Sequence, residues 1–154
     1  MGAGRHRLLG VSQQPASRVV SQDVALQVLD AWGRAVDLPT RLAYDAADPW
    51  AVTVTFSSSG AGEPVVWTVG RDLLLRGLTE PAGEGDVQLF PSVDEACRAA
   101  VVMELSSPGG RLVTQLRSAD LYRFLARSIA LVPLGAEVMD LDLLVDALVG
   151  RTDA

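Results

Sequence analysis

Residues 50–57 read Trp-Ala-Val-Thr-Val-Thr-Phe-Ser, and this alternation constrains the fold more than any other stretch of the chain. Successive side chains of an extended strand point to opposite faces. Trp50, Val52, Val54 and Phe56 therefore belong to one face and Thr53, Thr55 and Ser57 to the other, the pattern of a half-buried antiparallel strand. The surrounding stretch, Arg41–Asp86, reads as strand, turn, strand, loop, strand, short helix and Gly-rich loop. It is the scaffold of a small α+β domain.

Other segments follow from period and punctuation. Val24, Leu26 and Val28 alternate within an expected first strand, Asp23–Leu29, and Gly33 and Pro39 punctuate the link to a second at Thr40–Tyr44. Asp45 and Asp48–Pro49 form a tight connection in which aspartates accept backbone N–H bonds. Ala51–Phe56 and Pro64–Val69 are expected as a hairpin, with Val65, Trp67 and Val69 on one face. Asp72 is expected to cap a short helix running to Arg76, with Leu74, Leu75 and Leu78 as its apolar stripe and Gly77 as its stop. Thr79–Asp86 is a Gly-rich loop, and Val87–Phe90 a strand ended by Pro91. Ser92–Arg98 reads as a loop or a turn of helix started by Ser92. Ala99–Leu105 and Arg111–Leu116 pair across the turn Ser106–Gly110. Ser118 caps the main helix, Ala119–Leu131, whose stripe is Leu121, Phe124, Leu125 and Ser128, and a final helix is expected over Asp140–Val149. Strands followed by a helix occur twice, ending near Leu78 and Leu131, as a duplicated unit would.

A chain of 154 residues, 49% hydrophobic, fills one core. Residues 1–21 are expected as a flexible tail, 22–149 as the domain and 150–154 as a C-terminal tail. With 19 acidic and 13 basic residues the net charge is −6, which repels phosphate backbones at long range. Cys97 is the only cysteine, so no intrachain disulfide forms and a reducing compartment is expected. No stretch approaches the ~20 apolar residues that cross a bilayer, and a cytoplasmic protein is expected. The surplus of aliphatic over charged residues also suits burial between subunits.

Catalytic chemistry is not legible. His6, in the expected tail, is the only histidine, so Cys97 has no second histidine to activate it, and GxSxG is missing. Thr79–Asp86 lacks the Lys-Ser or Lys-Thr of a phosphate loop and carries Glu80, Glu84 and Asp86. Asp140, Asp142 and Asp146 resemble a calcium loop only in composition. No enzyme, cofactor or metal is expected. Arg117, Arg123 and Arg127 make the one basic face, read either as a solvated helix surface or as a partner surface.

Four ordered motifs carry a resemblance: LAYDAADPWAV, VVWTVGRDLLLRGL, GDVQLFPS and VVMELSSPGGRLV. Together they are similar to the SsgA-like family of sporulation and cell-division regulators of actinomycetes, over about Val24 to Leu148. The matched positions include Tyr44, Asp45, Asp48, Pro49, Arg71, Asp72, Asp86 and Pro91. Trp50 stands where tyrosine is commoner and Phe90 where tryptophan is usual, both preserving an aromatic; Trp67 lies within the second motif.

The resemblance implies a compact α+β domain of antiparallel sheets with packed helices, like the whirly single-strand-binding proteins, assembled as a homotrimer. It implies a non-enzymatic adaptor of sporulation-specific division, acting on septum-site selection or septal peptidoglycan remodelling. The implied partners are the tubulin-like division protein or paralogous family members, with concentration at the septum and no insertion into the membrane. The fold analogy also raises an alternative, a single-stranded nucleic-acid binder stacking bases on Trp50 and Phe90. The net charge opposes it. Arg71 is expected to pair with Asp45 or Asp48.

Overall fold

A computed structural model describes residues 18–57 and 62–138. The expected C-terminal helix, His6 and the tail up to residue 17 lie outside the described residues. Among the described residues eight strands and two helices follow in the order β1 (Val19–Leu29), β2 (Ala35–Asp45), β3 (Ala51–Phe56), β4 (Val65–Gly70), α1 (Arg71–Gly77), β5 (Ala82–Glu84), β6 (Val87–Val93), β7 (Ala99–Ser107), β8 (Gly110–Arg117) and α2 (Ser118–Leu131). Four strands and a helix thus occur twice, the duplication expected from sequence.

All strands lie in one curled antiparallel sheet of order β4-β3-β2-β1-β8-β7-β6-β5. Within each half the meander pairs extensively; β1 and β2 alone align from Val19↔Asp45 to Leu29↔Ala35. The halves join through only Gln27↔Gln115 and Val28↔Thr114. Where β1 leaves β8, α2 takes over: Arg127 Nη1 donates to the Ser21 carbonyl at 3.1 Å, and Gln22 Nε2 donates to the Asp120 carbonyl at 3.1 Å.

The core lies on the concave face. Val24 and Leu26, Leu42 and Tyr44, Val52, Val54 and Phe56, and Val101, Met103 and Leu105 enter it by strand alternation. Helix α2 closes it with Leu121, Phe124, Leu125 and Ser128, the stripe read from sequence. Burying a side chain of this size contributes roughly 1.5–3 kcal/mol.

Several expectations are corrected. The first strand begins at Val19 rather than Asp23, so residues 19–21 belong to the sheet and not to a tail. The second spans Ala35–Asp45 and contains Pro39. Pairing with β3 begins only at Thr40↔Phe56, so Pro39, one residue beyond, sits past that ladder. Strand β6 likewise runs through Pro91 to Val93, because β5 ends opposite Leu89 and no strand on that side needs an N–H from Pro91. The Gly-rich loop contains β5. Its hairpin to β6 turns on Gly85, at φ +60, and Asp86, the primed geometry that matches strand twist. Neither expected helix cap forms: Gly70 precedes α1 and Arg117 precedes α2 without a side-chain cap bond, and Ser118 is the first residue of its helix. The buried face of α1 is Arg71, Leu73, Leu74 and Gly77, whereas Leu75 and Leu78 are half-buried.

The β1–β2 and β6–β7 hairpins close with the same five-residue loop. In Asp30–Arg34 the Asp30 carboxylate accepts from Trp32 N at 2.9 Å, Arg34 N at 2.8 Å and Arg34 Nε at 2.9 Å. In Asp94–Arg98 the Asp94 carboxylate accepts from Ala96 N, Arg98 N and Arg98 Nε, each at 2.9 Å. The backbone N–H of the following arginine, more than any other donor, holds each aspartate below the usual carboxylate range. Ser92–Arg98 is therefore neither a helical turn nor capped by Ser92.

The fourth residue of each loop is left-handed: Gly33 at φ +77 and Cys97 at φ +61. A non-glycine residue there costs about 1–2 kcal/mol. Replacing Cys97 by glycine relieves that strain and restores about 0.4–1 kcal/mol of unfolded-state entropy. Cys97→Gly is therefore expected to stay within about 1 kcal/mol of the parent in urea denaturation, while the β-branched Cys97→Val loses about 1–2 kcal/mol. Equal losses from both would reject this account.

Candidate functional site

The family-like motifs converge on one buried cation. Arg71 begins α1 and is 1% exposed. Its backbone N–H donates to the Trp50 carbonyl at 2.8 Å, which ties α1 to the β2–β3 turn. Its Nη1 donates to the carbonyls of Ser128 at 3.1 Å and Val132 at 2.8 Å, at the end of α2. The Ser128 carbonyl also accepts from Val132 N at 2.9 Å, and carbonyls at a helix C-terminus carry partial negative charge, so a guanidinium is well matched to them. Nη2 lies 3.1 Å from Glu137 Oε2, and the guanidinium carbon sits 4.6 Å from the centre of the Tyr44 ring.

Each partner is held in turn. The Tyr44 hydroxyl donates to the Pro49 carbonyl at 2.9 Å. Burial raises the Tyr44 hydroxyl above its ordinary value of 10.0, with the Arg71 charge opposing, so it remains a donor. Ser128 Oγ donates to the Leu125 carbonyl at 2.7 Å. The Glu137 carboxyl is held below 4.5 first by its own backbone N–H, then by Arg71, with the Gly135 N–H adding to them. The Asp45 carboxylate accepts from Ala47 N at 2.9 Å, the aspartate turn expected here. Asp48 N donates to the Asp45 carbonyl at 2.9 Å and completes it.

Glu137, and not Asp45 or Asp48, is therefore the carboxylate facing Arg71. Asp45 through its carboxylate and Asp48 through its backbone N–H shape the turn that presents the Trp50 and Pro49 carbonyls. Ser128 was legible as part of the α2 stripe but not as a partner of Arg71, and Glu137 carries no signal in the local sequence, since both meet Arg71 only through the end of α2.

The other singled-out residues are dispersed. Trp50 is 47% exposed in the turn rather than on the core face of β3. Trp67 is half-buried in β4. Asp72 is exposed, 3.6 Å from Arg76. The Asp86 carbonyl accepts from Ser106 N at 2.9 Å. Phe90, half-buried, pairs with Val102, and exposed Pro91 with Val101. Trp50 and Phe90 thus stand on different halves of the sheet and form no common platform. The basic face divides as well. Arg123 lies 3.4 Å from Asp120, Arg127 reaches Ser21 and Gln22 on β1, and Arg117 ends β8 at a polar hollow beside Asp37, Asp94 and Arg98.

Chemically this centre is a fastener. Its one cation is sealed from solvent and engaged by carbonyls and a carboxylate. Among the described residues no three His, Cys, Asp or Glu side chains gather to hold a metal. No described helix is long and apolar enough to cross a membrane. Fold and centre together define an α+β scaffold closed around one buried guanidinium.

Comparison with known proteins gives the family. The profile described as "Streptomyces sporulation and cell division protein, SsgA" matches residues 38–137. Sporulation-specific cell division protein SsgB of Kineococcus radiotolerans is 41% identical over 133 residues, covering 86% of this chain and 78% of that protein. SsgB of Streptomyces coelicolor is 40% identical over 124 residues, 80% of this chain and 89% of that protein. The solved structure of an SsgA-like sporulation-specific cell division protein from Thermobifida fusca superposes with a TM-score of 0.75 at 34% identity, over 91% of this chain and 99% of that one. A second structure, from work on SsgB mutations that correlate to longitudinal cell division during sporulation of Streptomyces coelicolor, gives 0.74 at 38% identity, over 80% and 96%. The chain belongs to the SsgA family of sporulation and cell-division proteins.

Proposed function

We propose that this protein acts by bringing division components together through its outer surfaces. It is a non-enzymatic regulator of sporulation-specific cell division, like the SsgB proteins it matches. The carrying observation is how the motif residues are used: Tyr44, Pro49 and Arg71 are locked into the buried fastener, which leaves the surface for partners. Its role lies in septum-site selection or septal peptidoglycan remodelling, and its partners are the tubulin-like division protein or paralogous family members. The working form is a homo-oligomer, a trimer by the family resemblance, within the cytoplasm and concentrated at the septum. A nucleic-acid function gains nothing from the fold, because its two aromatics are apart and the net charge is −6.

Sedimentation with polymers of the tubulin-like protein tests the direct partner. The expected result is stoichiometric recovery of this chain in the pellet with polymer and none without it. Absence from the polymer pellet would overturn direct binding and assign the contact to a paralogue or a wall enzyme.

A further inference from the structure

The sheet order ends at β4, and among the described residues no strand lies beyond it. Arg71 N donates to the Trp50 carbonyl, so every second pair from there exchanges main-chain bonds with β3: Val69 with Val52, Trp67 with Val54 and Val65 with Phe56. The N–H and C=O groups of Val66 and Thr68 therefore point away from β3, along an open edge. Natural proteins blunt such edges with charge, proline or brevity. The opposite edge, β5, is three residues long. Strand β4 is six residues long, with no charge and no proline, and Val65 and Val66 are 54% and 58% exposed.

Beside this edge Leu38, Phe56, Val65, Trp67 and Leu112 line a hollow of about 360 Å³ with Glu63 at its rim. Glu63, Val65 and Trp67 share a face by alternation, so a strand added to β4 places every second side chain over the hollow. The matching occupant is extended, apolar at alternate positions and basic opposite Glu63. The seventeen residues before Arg18 contain such a run. Arg5, Arg7, Leu9 and Val11 alternate, and no acidic residue precedes Asp23 to cancel the arginines. The segment after Val138 does not match, because it brings Asp140, Asp142 and Asp146 to Glu63.

Reach and direction also agree. The Arg18 carbonyl accepts from Ala46 N at 3.0 Å, which puts the start of β1 at the Gly70 end of β4. A strand beyond β4 lies four spacings of about 4.8 Å from β1, roughly 19 Å, and the seven steps from Val11 to Arg18 span about 23 Å. We propose that residues 5–11 add to β4 as a further strand, with Leu9 and Val11 on the face of Val65 and Trp67 and Arg5 and Arg7 toward Glu63. Entry from the Gly70 end makes the added strand parallel to β4. The chain's own N-terminal segment thus closes this edge, and a partner strand reaches it only by displacing residues 5–11.

The test is amide hydrogen exchange of the full chain, resolved by residue with NMR, for the parent and the double variant Leu9→Asp, Val11→Asp. The Val66 and Thr68 amides are expected to exchange about tenfold or more slowly in the parent than in the variant. The Trp67 and Val69 amides, bonded to β3, stay protected in both and report that the domain is folded. Fast exchange at Val66 and Thr68 in the parent overturns the proposal. So does protection that survives in the variant: if it falls on dilution the edge belongs to a second copy, and if it persists at every concentration it belongs to another segment of the chain.

Discussion

Arg71→Ala is expected to lower unfolding stability by about 3–5 kcal/mol, the usual loss when one partner of a buried ion pair is removed. The residue is 1% exposed, and its side chain ties the start of α1 to the end of α2 and to Glu137. Its removal leaves the Ser128 and Val132 carbonyls without their guanidinium and the Glu137 carboxylate, 17% exposed, facing a void. The Tyr44 ring loses its cation at 4.6 Å as well. Arg71→Lys keeps the charge but not the planar fork that reaches two carbonyls and a carboxylate together. It is expected to recover only part of the loss. Thermal melting decides the matter, since several kcal/mol in a domain of this size is a drop of roughly 10 °C or more. A change below about 1 °C would reject the fastener role.

The same centre sets an acid limit. Glu137 titrates below its ordinary 4.5 in the folded chain, held there by its own backbone N–H and by Arg71. A depressed carboxyl contributes stability that is present above the unfolded value and lost as pH falls through the folded one. The parent should therefore lose this contribution below about pH 4.5. Glu137→Gln, which cannot titrate, should start lower at neutral pH and lack that component of the decline.

Much of this was legible in the chain because strand alternation and helix period are local. The residues Val52, Val54 and Phe56 entered the core as their spacing demands, and so did Leu121, Phe124, Leu125 and Ser128. The errors came where a distant neighbour decides. Pro39 and Pro91 read as breaks, yet both lie inside strands because the adjacent strand stops short of them. Trp50 fits the period of β3 but is taken up by the turn that Asp45 shapes. Asp72 has the residue type of a cap, but the extended Gly70 fills that position and Asp72 falls in the first turn. The fastener was half visible. Tyr44 and Arg71 stood out, whereas Glu137 lies 66 positions beyond Arg71 and only the path of α2 brings it there.

Gly77→Ala should destabilise the fold, although helix propensity alone predicts the opposite. Gly77 is the last residue of α1, and replacing a helical glycine by alanine ordinarily gains up to about 1 kcal/mol. It is not there for a left-handed turn, because the residue after it, Leu78, remains right-handed at φ −66°. It is there for closeness. A Cβ at this position would stand 2.7 Å from Leu89 Cβ and 3.2 Å from its Cδ2. Leu89 Cβ is fixed to the backbone of β6 and cannot rotate away, and the side chain is 2% exposed in the core. Either α1 lifts from the sheet or β6 shifts. Overpacking of this kind costs about 1–3 kcal/mol and exceeds the propensity gain. Chemical denaturation of Gly77→Ala reads the sign directly. The double variant Gly77→Ala, Leu89→Ala sharpens the result: alanine keeps the offending Cβ, so truncating Leu89 should not rescue the fold and should add its own cavity cost of about 2–5 kcal/mol. A stabilised Gly77→Ala, or rescue by Leu89→Ala, would show that α1 has room to move off β6 and that its close approach is not fixed by the core.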